Sequence, residues 1–179
     1  MKATGIVRRI DDLGRVVIPK EIRRSMRIRE GTPLEIYTGG GGEVIFRKYS
    51  PVGELGAFAE QYAEVMHRVG GYAAVVCDGD RVVAVSGAPK RELLGRRISP
   101  ALEELMQARR SYFLQDAAAE PLLPVEGSDR RALAAAPILA AGDVCGAVLF
   151  LAEENALAGE PEQKLIGVAA SFLGRQMEG

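Results

Sequence analysis

The pattern that most constrains this chain lies in residues 4–24. Two short runs rich in β-forming residues, Gly5 to Ile10 and Arg15 to Ile18, flank the acidic tetrapeptide Asp11-Asp12-Leu13-Gly14. Aspartate favours turns and glycine tolerates a positive φ, so this arrangement predicts a β-hairpin. The chain is therefore expected to begin with a β-type element.

A short helix and a second hairpin are predicted next. Pro19 suits the first turn of a helix, where its missing amide would have no partner, and we predict a helix over 20–26. Leu34 to Thr38 and Glu43 to Tyr49 are β-type runs separated by the glycines 39–42, which predict a turn. These glycines do not predict a phosphate-binding loop, because no Lys-Ser or Lys-Thr follows them. So few short elements cannot bury a self-sufficient core, and we expect a symmetric dimer.

The charge of the chain is divided between its two parts. Residues 1–50 contain eight arginines and three lysines against six acidic residues, a net charge of +5. Residues 51–179 carry twelve basic and eighteen acidic residues, a net charge of −6. Neutralisation of phosphates with release of counterions supplies most of the affinity for nucleic acid, so the basic end predicts double-stranded DNA as its partner.

Arginine dominates the basic end. Its guanidinium group can grip a phosphate or a guanine edge through two hydrogen bonds, which lysine cannot do. If each subunit of a dimer places four arginines on phosphates, the eight together predict a slope of about −7 for log K against log salt. Seven arginines fall within 22 residues: Arg8, Arg9, Arg15, Arg23, Arg24, Arg27 and Arg29.

The N-terminal part resembles the AbrB family of transition-state regulators. The resemblance covers residues 2–49 and is carried by Thr4-Gly-Ile-Val-Arg8, Leu13-Gly-Arg-Val-Val-Ile-Pro19 and Glu21-Ile-Arg-Arg24. It implies a swapped-hairpin (looped-hinge helix) domain, in which hairpins of two chains interleave in a homodimer, and recognition that depends on DNA shape. By this resemblance the DNA-contacting residues are Arg8, Arg15, Arg23 and Arg24, with Arg9 and Lys2 in support.

The rest of the chain predicts a second domain. We place a DNA-binding domain at 1–50, a linker at 51–55 and a larger domain at 56–179. Apolar residues at three- and four-residue spacing indicate helices, and continuous apolar runs indicate strands, which together predict an α+β fold with helices packed on an antiparallel sheet. The predicted helices span 54–69, 99–109 and 161–177, and the predicted strands span 72–77, 81–86, 132–139 and 144–152.

The order of these elements is similar to that of a GAF domain, a small-molecule sensor fold. The signature of cyclic-nucleotide-binding members is absent, so no cyclic nucleotide is expected, and no cofactor is predicted. A swapped-hairpin domain followed by a GAF-like domain resembles sporulation regulators of endospore-forming bacteria. This implies a transcription factor that activates and represses genes in the forespore, with helices flanking the GAF-like domain building a homotetramer.

A small-molecule pocket and pure oligomerisation stay open as roles for the GAF-like domain. Tyr72, Ser86, Tyr112 and Phe113 combine bulk with a polar tip or lie beside a strand end, so they are candidates to line a ligand pocket. Each of them fits core packing equally well. The domain could instead bind no ligand and serve only to oligomerise the protein.

The sequence favours neither an enzyme nor an antitoxin. An enzyme needs a nucleophile, base or metal constellation, but His67 is the single histidine, and Cys77 and Cys145 lie in apolar runs without metal-ligand spacing, so no catalytic or metal site is predicted. An antitoxin of the same swapped-hairpin fold would carry a disordered toxin-binding tail, whereas residues 51–179 have the periodic apolar pattern of a folded domain.

No membrane segment or secretion signal is predicted. The chain has no run of 18 apolar residues and no apolar stretch behind Lys2, and its composition is 47% hydrophobic and 26% charged. We expect a cytoplasmic protein associated with the nucleoid.

Overall fold

The computed structural model describes residues 4–178 and divides the chain into two units between Tyr49 and Ser50. We call residues 4–49 the N-terminal unit and residues 50–178 the C-terminal unit. The N-terminal unit contains α1 (Lys20–Ser25), β1 (Leu34–Thr38) and β2 (Val44–Lys48).

The hairpin predicted in the second half of the N-terminal unit is confirmed. Strands β1 and β2 pair antiparallel, from Leu34 opposite Lys48 to Thr38 opposite Val44. The glycine run closes the turn, and Gly42 has a φ of +80°, a conformation that favours glycine. Helix α1 lies inside the predicted range and ends one residue before Met26.

The first predicted hairpin was wrong as a paired element within one chain. Its turn forms, because the Gly14 amide donates to the Asp11 carbonyl over 3.0 Å and the Asp11 amide donates to the Arg15 carbonyl over 3.0 Å. The flanking runs, 5–10 and 15–18, are extended without strand pairing. A two-stranded ribbon with no apolar layer to cover it is marginal in water, and these runs are exposed here.

The C-terminal unit has the predicted α+β composition. Three short elements were not predicted: α2 (Pro51–Glu54), α4 (Lys90–Leu93) and β5 (Tyr112–Phe113). Among the described residues, no helix is both long and apolar enough to cross a membrane. The elements are α2 (Pro51–Glu54), α3 (Gly56–Gly70), β3 (Ala74–Asp78), β4 (Val82–Ser86), α4 (Lys90–Leu93), α5 (Pro100–Gln107), β5 (Tyr112–Phe113), β6 (Ala132–Ala140), β7 (Asp143–Leu151) and α6 (Glu160–Met177).

A five-stranded antiparallel sheet organises the C-terminal unit. Its strand order is β4-β3-β7-β6-β5. Side chains alternate between the two faces of the sheet. Val76 and Phe150 pack with residues of α3 and α6, whereas their neighbours Val75 and Leu149 pack with residues of α4 and α5. Both faces of the sheet are therefore buried, one under each helical layer.

The segment predicted as the linker, 51–55, contains helix α2. The Ser50 hydroxyl accepts from the Gly53 amide over 3.0 Å and bonds to Asp78 Oδ2 over 2.8 Å, and the Val52 side chain is fully buried. A serine cap followed by proline is the same helix start that Ser99 supplies for α5. The C-terminal unit therefore begins at its cap, directly after Tyr49.

Two glycines mark places where backbones of the C-terminal unit touch. A Cβ atom at Gly146 of β7 would collide with the carbonyl oxygen of Cys77, and one at Gly174 of α6 would collide with the carbonyl oxygen of Leu139. Glycine is used where another backbone approaches this closely. Helix α6 can therefore lie directly against strand β6.

Candidate nucleic-acid interface

The predicted DNA-contacting arginines lie in three places in the N-terminal unit. Arg8 and Arg9 belong to the first extended run, Arg15 follows the acidic turn, and Arg23 and Arg24 lie on α1. All five are exposed to solvent. Lys2, the remaining candidate, lies outside the described residues.

The carboxylate of Asp11 accepts three hydrogen bonds in the acidic turn, two of them from Arg15. Asp11 Oδ1 accepts from the Leu13 amide over 3.0 Å and from the Arg15 amide over 2.7 Å. Asp11 Oδ2 accepts from Arg15 Nε over 2.8 Å. The Asp11 side chain therefore closes the turn and fixes the Arg15 guanidinium group at its Nε atom. The two terminal Nη groups are not used in this contact.

Hydrogen bonding keeps Asp11 ionised. The bonds from the Arg15 amide and then from the Arg15 side chain lower the pKa of the Asp11 carboxyl below its ordinary value. The carboxylate thus persists to lower pH than that of a free aspartate. Because the Arg15 side chain is 71% exposed, this ion pair lies at the surface and contributes geometry more than stability.

Arg23 is held in a related way by a backbone carbonyl. Its Nε donates to the Ile18 carbonyl over 3.2 Å, and that carbonyl lies just before the start of α1. In both side chains the single Nε–H is occupied, and the paired Nη end of the fork is the edge left for a ligand. Arg8, Arg9 and Arg24 make no hydrogen bond or ion pair through their side chains within the described part of the chain.

An apolar groove lies beside these arginines. It joins the two extended runs to α1 and β2, and several of its side chains are exposed, among them Val17 at 71%. Apolar side chains grouped in this way mark surfaces that associate. The groove is lined by Ile6, Arg8, Val16, Val17, Ile18, Pro19, Ile22, Met26, Ile28 and Phe46.

The C-terminal unit has an exposed apolar face of its own, formed by α3 and α6. Tyr62 stacks there with Phe58 and with Phe172, and the Tyr62 and Phe172 ring centroids are 5.4 Å apart. On the same two helices, Val168 of α6 is 65% exposed and Val69 of α3 is 64% exposed. We call this surface the α3/α6 face.

The candidate ligand-lining residues do not converge. Tyr112 packs with the layer of α4 and α5, and its hydroxyl accepts from the Leu122 amide over 3.2 Å. Phe113 and Tyr72 pack with the opposite layer, under α3 and α6. Ser86 ends strand β4. Tyr112 and Phe113 are successive residues of one strand, so their side chains point to opposite faces of the sheet.

Comparison with known proteins decides the family. A family model described as stage V sporulation protein T C-terminal, transcription factor, matches residues 54–178. The chain is 50% identical to stage V sporulation protein T of Bacillus subtilis strain 168 over 178 residues, 99% of each chain. The chain belongs to the stage V sporulation protein T family. The predicted combination of domains is thereby confirmed.

The two parts of this stage V sporulation protein T family member also match separately. Over 51 residues the chain is 55% identical to the transition state regulatory protein AbrB of Bacillus subtilis, which is 28% of this chain and 52% of AbrB. A model of the bacterial antitoxin MazE matches residues 7–54. The GAF domain of a phosphoenolpyruvate-protein phosphotransferase from Coxiella burnetii superposes with a TM-score of 0.55 at 15% identity, over 69% of this chain and 82% of that one. The GAF-like fold of the C-terminal unit is confirmed.

Sequence reasoning missed the groups that hold the arginines. The sequence indicates only a turn at Asp11, and the Ile18 carbonyl has no side-chain signal in a sequence. The Asp-x-x-x-Arg spacing of Asp11 and Arg15 was the available clue, because a turn of that length brings its ends together.

Proposed function

We propose that this chain is a DNA-binding regulator of sporulation genes, and that Arg8, Arg15, Arg23 and Arg24 contact double-stranded DNA, with Arg9 and Lys2 in support. The observation that carries the proposal is the pair of exposed arginines, Arg15 and Arg23, each of which donates through Nε and has no partner for its two Nη groups among the described residues. The edge between the two Nη groups can grip a phosphate or a guanine with two hydrogen bonds. The similarity to AbrB and to stage V sporulation protein T supports it.

The proposed DNA-binding species is a homodimer through residues 1–50. The apolar groove, with exposed residues such as Val17, offers a surface on which the extended runs of a second copy would find the strand pairing they lack alone. Two copies would place two sets of arginines on one duplex and double the electrostatic contact. We assign the protein to the cytoplasm, on the nucleoid, where it would activate some forespore genes and repress others.

The test is DNA binding by the full chain with Arg15→Ala or Arg23→Ala. Each variant should bind a duplex selected by the protein from a random pool about tenfold or more weakly, since each removes a contact from both subunits. The wild-type slope of log K against log salt should be about −7, and Arg15→Ala should reduce its magnitude by about 2. Arg110→Ala, which removes an exposed charge from the C-terminal unit, is the control. Unchanged binding of the arginine variants at moderate salt would refute the assignment.

We propose that the GAF-like domain, residues 56–179, assembles dimers into a homotetramer through the α3/α6 face. Its exposed valines and stacked aromatic rings support helix packing against a second copy. Val168→Glu should shift the full chain from tetramer to dimer. Leu94→Glu is the control, because Leu94 is a 40% exposed apolar residue at the end of α4, on the other side of the sheet. It should leave the tetramer intact. A tetrameric Val168→Glu protein would exclude this face.

Native mass spectrometry distinguishes assembly from small-molecule sensing by the same unit. A tetramer that carries reproducible extra mass would establish a sensor and identify the chemical class of its ligand. A tetramer without extra mass would assign the GAF-like fold to assembly.

A further inference from the structure

Asp11 stands out as an acidic side chain inside a surface proposed to bind phosphates. A carboxylate at such a place repels the DNA backbone, so its presence calls for a physical reason. Its two oxygens accept three hydrogen bonds, and two of these come from Arg15: the amide at 2.7 Å and Nε at 2.8 Å. The neighbouring carboxylate of Asp12 makes no hydrogen bond or ion pair within the described part of the chain.

The contact to Nε determines how Arg15 can be used. A guanidinium group has five N–H donors, and a ligand can approach it along the Nε–Nη edge or along the edge between the two Nη groups. Asp11 occupies the first approach. Only the end-on approach through Nη1 and Nη2 remains, and an arginine constrained to one approach selects among partners by direction as well as by charge.

We propose that Asp11 is a positioning residue for Arg15 that raises the discrimination of the protein between DNA sequences while lowering its general affinity for DNA. The inference rests on the proposed DNA contact of Arg15. The effects on affinity and on discrimination apply to different sets of duplexes. Repulsion of phosphates by the carboxylate acts on every duplex alike, whereas orientation of the Arg15 fork matters only where a matched partner is present.

The ratio of two affinities isolates the positioning effect. The full chain is titrated with a duplex that it selects from a random pool and with a scrambled duplex of the same composition. Asp11→Asn removes the acceptor for Arg15 Nε but keeps an amide oxygen for the Leu13 and Arg15 backbone amides. The ratio of selected to scrambled affinity should fall about two- to tenfold, the cost of ordering one long side chain. Affinity for the scrambled duplex should rise.

Asp12→Asn is the matched control, because it removes the same charge from the same turn without touching Arg15. It should raise both affinities equally and leave their ratio unchanged. A ratio that falls equally in Asp11→Asn and Asp12→Asn would overturn the proposal in favour of charge alone.

A double-mutant cycle separates positioning from a structural role in the turn. In the Arg15→Ala background, Asp11→Asn should cause no further loss of the ratio, because the side chain that it positions is gone. An equal loss in both backgrounds would show that Asp11 acts only through the turn. If Arg15→Ala alone leaves both affinities unchanged, the proposed DNA contact of Arg15 fails, which is a separate outcome from failure of positioning.

Nuclear magnetic resonance of the free protein supplies a second readout. The Arg15 Nε–H signal should be protected from exchange in the wild type and in Asp12→Asn, and exposed in Asp11→Asn. The Leu13 and Arg15 amide signals should persist in all three proteins, which verifies that the turn is intact. An equally unprotected Nε–H in wild type and Asp11→Asn would overturn the proposal.

Discussion

The two units of this chain differ in how they use apolar residues. In the C-terminal unit the sheet is covered on both faces and side chains such as Phe150, Leu149 and Ile166 are fully buried. Within residues 4–49, the described aliphatic and aromatic side chains other than that of Pro19 are at least partly exposed, and Val7 reaches 86%. The difference indicates that the C-terminal unit can fold from its own contacts, and it favours the proposed homodimer, in which the N-terminal unit would bury comparable surface by association.

The largest effect expected from this difference is at Val17. Val17→Glu changes a side chain that is 71% exposed in one chain, so it should leave an isolated N-terminal unit unaffected. In an interleaved dimer it would bury an unpaired charge twice, at a cost of about 3 kcal/mol or more for each copy. Analytical ultracentrifugation of the protein alone should show loss of the N-terminal dimer. The same measurement with a DNA duplex present should show loss of DNA binding.

Gly41→Glu is the control for that experiment, because it adds the same charge in the exposed glycine turn. If Val17→Glu dimerises as tightly as Gly41→Glu, the apolar groove is not where the copies meet.

A smaller effect is expected from overpacking the C-terminal unit. Gly174→Ala would force a methyl group against the Leu139 carbonyl, and such strain costs about 1–3 kcal/mol of the free energy of unfolding. Thermal unfolding followed by circular dichroism should show the loss. Gly167→Ala on the same helix meets no atom within 4 Å and should be stabilising by up to about 1 kcal/mol, because alanine favours helix. Equal melting temperatures for the two variants would contradict the close approach of α6 to β6.

The smallest effect, a change in thiol reactivity, sharpens the comparison by reporting on one unit alone. Both cysteines lie in the C-terminal unit, and burial raises the pKa of each thiol, Cys77 more than Cys145. The thiolate is the nucleophile, so a raised pKa means less thiolate and slower alkylation at a pH of about 8, with the rate rising as pH increases. Cys145, which is partly exposed, should react slowly with iodoacetamide, and Cys77 only after unfolding.

Mass spectrometry of the alkylated protein then shows whether each substitution disturbs the C-terminal unit. Val17→Glu should leave Cys77 protected, and Gly174→Ala should accelerate its labelling. Rapid labelling of Cys77 in Val17→Glu would mean that the two units do not fold independently.

The sequence predicted the elements that pair or pack within one chain and failed at the first hairpin of the N-terminal unit. In the C-terminal unit the strands and the long helices lie close to their predicted ranges, because each element packs against others of the same chain and its apolar period records that packing. Helices α2 and α4 and strand β5 were not predicted, because elements of two to four residues are too short to show a periodic pattern of apolar residues. The first hairpin was wrong because its strands have no partner within one chain.

The candidate site was predictable in its residue types and not in its geometry. Charge and the family motif selected the arginines, but the role of Asp11 and that of the Ile18 carbonyl depend on where a turn brings its atoms. The pocket candidates failed to converge for a simpler reason. Tyr112 and Phe113 are adjacent in one strand, so no common pocket on one face can contain both.

Gly146 bears on how variation among relatives of this chain should be interpreted. Its place opposite the Cys77 carbonyl leaves no room for a side chain, so a substitution there acts through the stability of the fold and not through what the protein recognises. An alignment in which this position never varies would record the spacing of two strands. Invariance at Arg15, where the side chain is free of such crowding, would instead record selection for a partner.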